Sequence, residues 1–367
     1  MKKLMFSACS LGLGGIETAL VTLVNYLVKN GYDVTVALEK KEGIFLNSLD
    51  KNVKIIEYSP SEERNILKRK LVNLLKRIKF TIKYKNRFDF SACFATYSLP
   101  ANFMARVASK NTCLWCHADY LTLFQNDKNK VKEFFKERKY NKFKNIVFVS
   151  NEGKDSFVNI LKDAKEKTIV CNNMIDGEKI INLSKEKIDV ERKSEIITFL
   201  NVGRHDERQK RLSRLIEASS KLKYHKYKFR ILLVGEGQDT EKYKRMVKEK
   251  ELENNIIFIG KKENPYPYFN VADCVILTSE YEGYPVVFLE SKILNKPIIT
   301  TKVSDYEEIE EKYGYVTDKD VDDIYHNMKK FIENGYQIKE RFDYNKYNEE
   351  ILKRLEELFW KEFKYNA

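Results

Sequence analysis

Short apolar runs alternate with stretches of helical periodicity along almost the whole chain, and this alternation restricts the fold more than any other feature. Strand-like runs fall at Lys2–Ala8, Asp33–Leu38, Val53–Tyr58, Phe88–Ala95, Thr112–His117, Asn145–Val149 and Thr168–Cys171. A polar, weakly patterned stretch follows, and the alternation then restarts at Ile196–Val202, Phe229–Val234, Asn255–Ile259, Cys274–Leu277 and Pro297–Thr300. Helical periods lie between most of these runs, among them Leu212–Leu222, Thr240–Lys250, Val286–Leu294 and Val321–Glu333. Strand and helix in repeated order imply parallel, doubly wound sheets. The expected division is 1–172 for a first Rossmann-like domain, 173–195 for a linker and 196–342 for a second such domain. A closing helix over 343–367 carries apolar points at Ile351, Leu352, Leu355, Leu358, Phe359 and Phe363.

A length of 367 residues with 43% apolar content suits two such domains. No stretch approaches the ~18 continuous apolar residues of a membrane span. The apolar part before Cys9 is only Leu4 to Phe6, short of the ~7–15 residues a leader needs, so we expect a first buried strand and a cytoplasmic chain. The six cysteines lie mostly in apolar runs and read as buried thiols. Cys113-Leu-Trp-Cys116-His117 spells a haem-attachment pattern, but it sits inside a strand-like run with no export signal, and no second cysteine pair follows for zinc.

The net charge of +13 is concentrated. Arg64 to Arg87 holds ten Lys or Arg and no acid, with Leu67, Leu71, Leu74, Leu75, Ile78 and Ile82 at three- and four-residue steps. This is a basic amphipathic helix. Two readings stand: attachment to an anionic membrane surface, or an ordinary helix packing its apolar face on the sheet. No nucleic-acid motif accompanies the charge.

Glu282 and Glu290 are eight residues apart in Ser279-Glu-Tyr-Glu-Gly-Tyr-Pro-Val-Val-Phe-Leu-Glu290. The run Cys274–Leu277 leads into them, and Gly283 and Pro285 break the chain before a helix. Glu282 is therefore expected in the loop at a strand's carboxyl end, and Glu290 about one and a half turns into the helix. Ligands bind at that end of open α/β sheets. Two carboxylates there can accept from several sugar or ribose hydroxyls, and the helix start suits an anionic group.

This segment resembles the E-x7-E signature of family 4 retaining glycosyltransferases, which have the GT-B fold. The Glu-Gly-aromatic loop (Gly283, Tyr284, Pro285) and the following Lys-Pro-Ile-Ile strand match its context. Other segments fit the same family. Ser10-Leu-Gly-Leu-Gly-Gly-Ile-Glu17, with Gly14 and Gly15, resembles its Gly-Gly-x-Glu loop facing the donor phosphates. Arg204 and Lys210 resemble its Gly-Arg…Lys element, which neutralises the departing diphosphate. The gap between them is one residue longer than usual, and Arg211 stands where glycine is common, so Arg208 or Arg211 could share the role. Gly235 lies in a Val-Gly-x-Gly turn, and Lys262 follows the Gly260 that meets the nucleobase in relatives. His117 resembles the first-domain histidine that reaches the transferred sugar. Asn173-Met-Ile-Asp176 fits the family's turn at the end of the first domain.

The resemblance implies two Rossmann-like domains facing across a cleft, with the closing helix crossing back to the first. It implies sugar transfer with retention from a nucleotide-sugar donor, UDP-linked by preference. The acceptor would be a glycan or lipid-linked oligosaccharide of bacterial surface polysaccharide synthesis. Lys210, Arg204, Glu282 and His117 would be catalytic, with Glu290 on the ribose. No metal or other cofactor is expected; Asp318-Lys-Asp320 matches a metal-binding DxD only by letter. The expected location is the cytoplasm, at the inner face of the membrane on the reading in which the basic helix binds an anionic surface. A sugar-nucleotide epimerase, a phosphorylase or a non-catalytic nucleotide-sugar-binding protein are the alternatives.

Overall fold

A computed structural model describes residues 1–12, 14–304 and 306–360. The chain divides into two compact units, one of Met1–Ile175 with the chain from Lys346 onward, the other of Asp176–Asn345.

The first unit runs β1 (Lys3–Ala8), α1 (Gly15–Lys29), β2 (Asp33–Leu38), β3 (Lys54–Glu57), α2 (Ile66–Tyr84), β4 (Phe90–Cys93), α3 (Leu99–Ala108), β5 (Thr112–Cys116), α4 (Tyr120–Leu123), α5 (Lys128–Glu137), β6 (Asn145–Phe148), α6 (Asn151–Ile160) and β7 (Thr168–Val170). Its sheet has the order β3-β2-β1-β4-β5-β6-β7, and each pairing is parallel. Leu4, Met5, Phe6, Val34 and Val36 are fully buried. Central parallel strands are covered on both faces, so they read as continuous apolar runs rather than alternating ones.

The second unit holds α7 (Gly177–Leu183), β8 (Ile197–Val202), α8 (Leu212–Tyr224), β9 (Phe229–Val234), α9 (Thr240–Glu249), β10 (Ile256–Gly260), α10 (Tyr266–Val271), β11 (Cys274–Leu277), α11 (Val286–Ile293), β12 (Ile298–Thr301), α12 (Tyr306–Glu308), β13 (Gly314–Thr317) and α13 (Val321–Asn334). Its sheet order is β10-β9-β8-β11-β12-β13, again parallel. The order reverses between β8 and β11, the switch point where doubly wound sheets open a ligand crevice.

Two expectations need correction. Residues 173–195 are not a free linker: the units divide at Ile175/Asp176. Asp176 caps α7 by accepting from the Lys179 N–H at 3.1 Å. Ile188 and Val190 pack on the second unit's core. The basic helix α2 also does not bury its apolar row: Leu67, Leu71, Leu74, Leu75, Ile78 and Ile82 are all exposed, and Phe80 is its one buried residue.

The closing helix, α14 (Tyr344–Trp360), completes the first unit from Lys346 onward. Ile351, Leu355, Leu358 and Phe359 are buried. The Phe359 ring lies 4.8 Å from Phe90 and 5.6 Å from Tyr32. Asn348 bonds both backbone groups of Ile175, at 3.0 and 2.7 Å. Phe363 lies outside the described residues.

Candidate active site

In the second unit, the loops leaving β8 to β11 carry the candidate residues at the carboxyl ends of four adjacent strands. Three of these loops are tied by their backbones. Gly203 N donates to Val234 O, Gly235 N to Gly260 O and His205 N to Glu236 O. Gly235 takes φ +144, and a Cβ there would lie 1.9 Å from Gly203 O, so only glycine lets the two turns touch.

The β8–α8 loop and the β11–α11 loop are joined more strongly. Glu280 N donates to Gln209 O at 2.7 Å, and Thr278 Oγ1 donates to Lys210 O at 3.2 Å. Lys210 Nζ then meets Glu282 Oε1 at 2.6 Å, with both side chains largely buried. Ser279 Oγ donates to the same oxygen at 2.6 Å and Gln209 Nε2 to Oε2 at 3.2 Å. A carboxylate offers about four acceptor positions, so three donors leave Glu282 one for a ligand hydroxyl.

Arg204 and Arg208 converge on Asp206 Oδ2, at 3.8 and 3.6 Å. Both guanidinium groups are mostly in solvent, so they can reach an anion while Asp206 keeps them near the loop. Arg211 instead opens α8 in the left-handed region and lies near Glu207 and Glu280, at 3.6 and 3.7 Å. Of the two alternates for the cationic role, Arg208 shares the position of Arg204 and Arg211 is engaged elsewhere. Lys262 is exposed after β10.

Glu290 is the fifth residue of α11, and Tyr266 Oη donates to its Oε1 at 3.2 Å. Part of its surface remains open, yet the carboxylate is ringed closely by protein. Desolvation pushes its pKa up to about 7, with the Tyr266 hydrogen bond opposing the shift. Tyr266 is itself held in place. Asn264 accepts from Tyr266 N at 3.1 Å and donates to Leu183 O and Glu186 Oε2 at 3.0 and 2.8 Å.

The first unit holds the remaining candidates at its own strand ends. Gly14 is the N-cap of α1 and Gly15 its first residue, at the end of the loop from β1. Leu11 of the same loop is pinned to the next one, its N–H donating to Glu42 O at 2.9 Å and its carbonyl accepting from Phe45 N at 3.0 Å. Gly43, at φ +120, makes this approach feasible, since a Cβ would lie 2.0 Å from the Leu11 carbonyl carbon. His117 follows β5, its ring 4.4 Å from Phe94. Desolvation lowers its pKa to about 3, against a hydrogen bond to the Phe94 backbone, so the ring is neutral at physiological pH. Its Nε2 is buried without a partner among the described residues.

Gln209, Ser279, Tyr266 and His205 were not singled out from sequence. The Asn-Pro-Tyr-Pro-Tyr cluster after Gly260 was the one available signal for Tyr266. His205 braces the β8 loop, with Nδ1 2.9 Å from Thr240 Oγ1. The DxD letters are used structurally: Asp318 pairs with Lys302 at 2.6 Å and Asp320 caps α13 through Asp323 N at 2.9 Å. Cys113 and Cys116 are buried within β5.

Comparison with known proteins bears on the whole chain. The family model described as Glycosyltransferase Family 4 matches residues 13–179, and that of Glycosyl transferases group 1 matches 184–350. The chain is 26% identical over 310 residues to the N-acetylgalactosamine-N,N'-diacetylbacillosaminyl-diphospho-undecaprenol 4-alpha-N-acetylgalactosaminyltransferase of Campylobacter jejuni, covering 82% of this chain and 81% of that protein. It is also 26% identical over 164 residues to an uncharacterised glycosyltransferase of Methanocaldococcus jannaschii, covering 44% of this chain and 40% of that one. Anabaena HepE, solved with UDP and glucose, superposes with a TM-score of 0.75 at 17% identity, covering 97% of this chain and all of that one. The lipopolysaccharide glycosyltransferase WaaG superposes at 0.66 and 15% identity, covering 90% of each chain. With one family model on each half and these GT-B neighbours in fold, the chain belongs to the family 4 glycosyltransferases.

Proposed function

We propose that the protein transfers a sugar, with retention of anomeric configuration, from a UDP-sugar to a glycan or lipid-linked oligosaccharide in bacterial surface polysaccharide synthesis. The observation that carries this reading is the Lys210–Glu282 contact at 2.6 Å, with Arg204 and Arg208 on the same loop as Lys210. It sets cations beside carboxylates at the carboxyl ends of parallel strands, where a diphosphate and its sugar are recognised together. Lys210 and Arg204 neutralise charge on the departing diphosphate. Glu282 accepts from sugar hydroxyls and Glu290 from the ribose. Gly235 and Lys262 border the nucleotide, and Gly283, Tyr284 and Pro285 shape the loop around the sugar. In the first unit, the Gly14–Gly15 loop takes the phosphate side and His117 the transferred sugar. No side chain is assigned as a nucleophile, in keeping with same-face displacement. No essential metal is expected.

The donor is supported by the UDP and glucose bound to Anabaena HepE. The acceptor is supported by the names of relatives: the Campylobacter enzyme works on a diphospho-undecaprenol substrate, and CapH of Staphylococcus aureus serves capsular polysaccharide biosynthesis. Among the described residues no helix is long and apolar enough to cross a membrane. On this reading a lipid-linked acceptor is met at the inner membrane face, from the cytoplasm.

The test is nucleoside diphosphate release from UDP-, GDP- and ADP-sugars, with calorimetric binding of the same panel and EDTA arms. Turnover of a UDP-sugar that survives EDTA is expected. Failure of every donor to bind would overturn the reading. Conversion of the donor without diphosphate release would favour the epimerase, and strict dependence on inorganic phosphate the phosphorylase.

A further inference from the structure

The β8–α8 loop holds an acid that the site described above does not use. Asp206 keeps Arg204 and Arg208 beside it, and Lys210 reaches Glu282. Glu207, between them in sequence, engages helices instead, and its side chain is 16% exposed. Its Oε1 accepts from Ser213 Oγ in the first turn of α8 at 2.5 Å, and its Oε2 from Tyr243 Oη of α9 at 2.9 Å. Its backbone N–H donates to Asp239 Oδ2 at 2.8 Å, and Lys242 Nζ lies 3.6 Å from Oε1. Tyr243 is fully buried, so this end of the network is fixed.

Arg211 needs such a partner. It precedes α8 at φ 48, ψ 43, in the left-handed region that side chains rarely adopt and glycine takes freely. It also sets a cation at the positive end of a helix, where a carboxylate is favoured. Its side chain does not cap the helix. It lies between two acids, 3.6 Å from Glu207 Oε1 and 3.7 Å from Glu280 Oε2. Thr278 Oγ1 lies 3.2 Å from the carbonyl oxygens of both Lys210 and Arg211. The turn at Arg211 is thus the joint between α8 and Lys210. The Lys210 stem then lies over Gly203, where a Cβ would come within 3.3 Å of Lys210 Cε.

We propose that Glu207 is a positioning residue for the diphosphate site: it holds Arg211 in the left-handed turn and so aims Lys210 at Glu282 and the leaving group. Arg211 is then an anchored side chain and not a diphosphate cation. The identity of the leaving group rests on the function proposed above. The hold on Arg211 does not.

Glu207→Gln keeps the shape of the side chain and removes its charge. Arg211→Gly supplies a residue that takes the left-handed turn unaided. Calorimetry with UDP and with UMP reads the aim of Lys210, because UMP lacks the second phosphate. Glu207→Gln is expected to lower UDP affinity by about tenfold, the scale of one hydrogen bond to a charged group, and to leave UMP affinity close to wild type. Damage to the unit as a whole would lower both together. Arg211→Gly alone should keep the wild-type ratio of the two affinities. Added to Glu207→Gln, it should recover most of what that variant loses. The same set gives a double-mutant cycle in denaturant midpoint, where Glu207→Gln should cost less stability once residue 211 is glycine. Equal weakening of UDP and UMP in Glu207→Gln would overturn the proposal, as would a double variant no better than Glu207→Gln. Loss of UDP affinity in Arg211→Gly alone would overturn it in favour of Arg211 as a diphosphate ligand. Wild type that binds neither nucleotide would refute the transferase reading, and the stability cycle would then decide the hold on Arg211 by itself, additive costs overturning it.

Discussion

The strand-end loops of the two units differ in what their carboxylates face. In the second unit three acids there meet cations: Glu282 meets Lys210, Glu280 meets Arg214 at 2.5 Å, and Asp206 meets Arg204 and Arg208. In the first unit, Glu39 takes Ser98 Oγ and Glu17 takes Tyr97 Oη at 3.3 Å beside the β1 and β4 ends, and of these acids and Glu62, in the loop after β3, only Glu62 pairs with a cation, Lys40, among the described residues. The nearby imidazole, His117, is held neutral by burial. Cations beside acids can exchange partners with a diphosphate, whereas hydroxyls and a neutral ring match uncharged groups. Two sheets of the same architecture thus place different partners on these carboxylates, and the difference lies in the loops rather than the strands.

The sharpest way to break this comparison is to remove one group from each side. Lys210→Ala should cut diphosphate release by about 10²–10³-fold, the usual cost of losing a donor to developing charge. His117→Ala should cost about tenfold, within the range of a single neutral hydrogen bond, and weaken donor binding by calorimetry far less than Lys210→Ala does. Equal loss of donor binding in both variants would end the distinction.

Backbone geometry offers a second comparison. Gly235→Ala and Gly43→Ala each force a Cβ into a neighbouring backbone at positive φ. Each should destabilise by roughly 1–3 kcal/mol, as overpacking does, read as a shift in denaturant midpoint. Gly235→Ala should weaken donor binding more, because it displaces the β8 loop that carries Arg204 and Lys210, whereas Gly43→Ala displaces the loop that leads to Gly14 and Gly15.

Acidity sharpens the comparison further, with the smallest effect. Glu290 has its pKa raised by desolvation to about 7, so its stabilising share is complete below about 4.5 and is lost as pH rises through about 7. Ribose hydroxyls favour the ionised form. Donor affinity should therefore rise several-fold between pH 6 and 8, since one pKa unit corresponds to about 1.4 kcal/mol between the two forms. Tyr266→Phe removes the hydrogen bond that favours the carboxylate and should move this transition to higher pH. Glu290→Gln should flatten it. His117, depressed to about 3, does not titrate in that window. A pH profile that Glu290→Gln leaves intact would detach the effect from this carboxyl.

The sheets were legible because central parallel strands are written as unbroken apolar runs. β13 was missed: Gly314–Thr317 is four residues long, and glycine and threonine bound it. α7 was missed because Gly177 and Ile180 are its only buried residues, too few to show a period within seven. The Glu282–Glu290 spacing was readable because both lie on one short segment. Gln209, which meets Glu282 from 73 positions away, was not. For α2 the amphipathic period was visible, but the choice of packed face was not. That choice depends on Phe80 finding Tyr58 and Phe103, and on Asn73 and Lys76 finding the 59–61 turn.

The place of α14 has a consequence for biogenesis. Its buried face belongs to the first unit, yet the ribosome reaches it only after all of Asp176–Asn345 has been made. The second unit lies in one continuous stretch and can close as soon as it emerges, while the earlier-made unit waits for Phe359 to cover Tyr32 and Phe90 and for Leu355 and Leu358 to be buried. The order of completion is therefore the reverse of the order of translation, and the nascent first unit is the species that needs protection from aggregation.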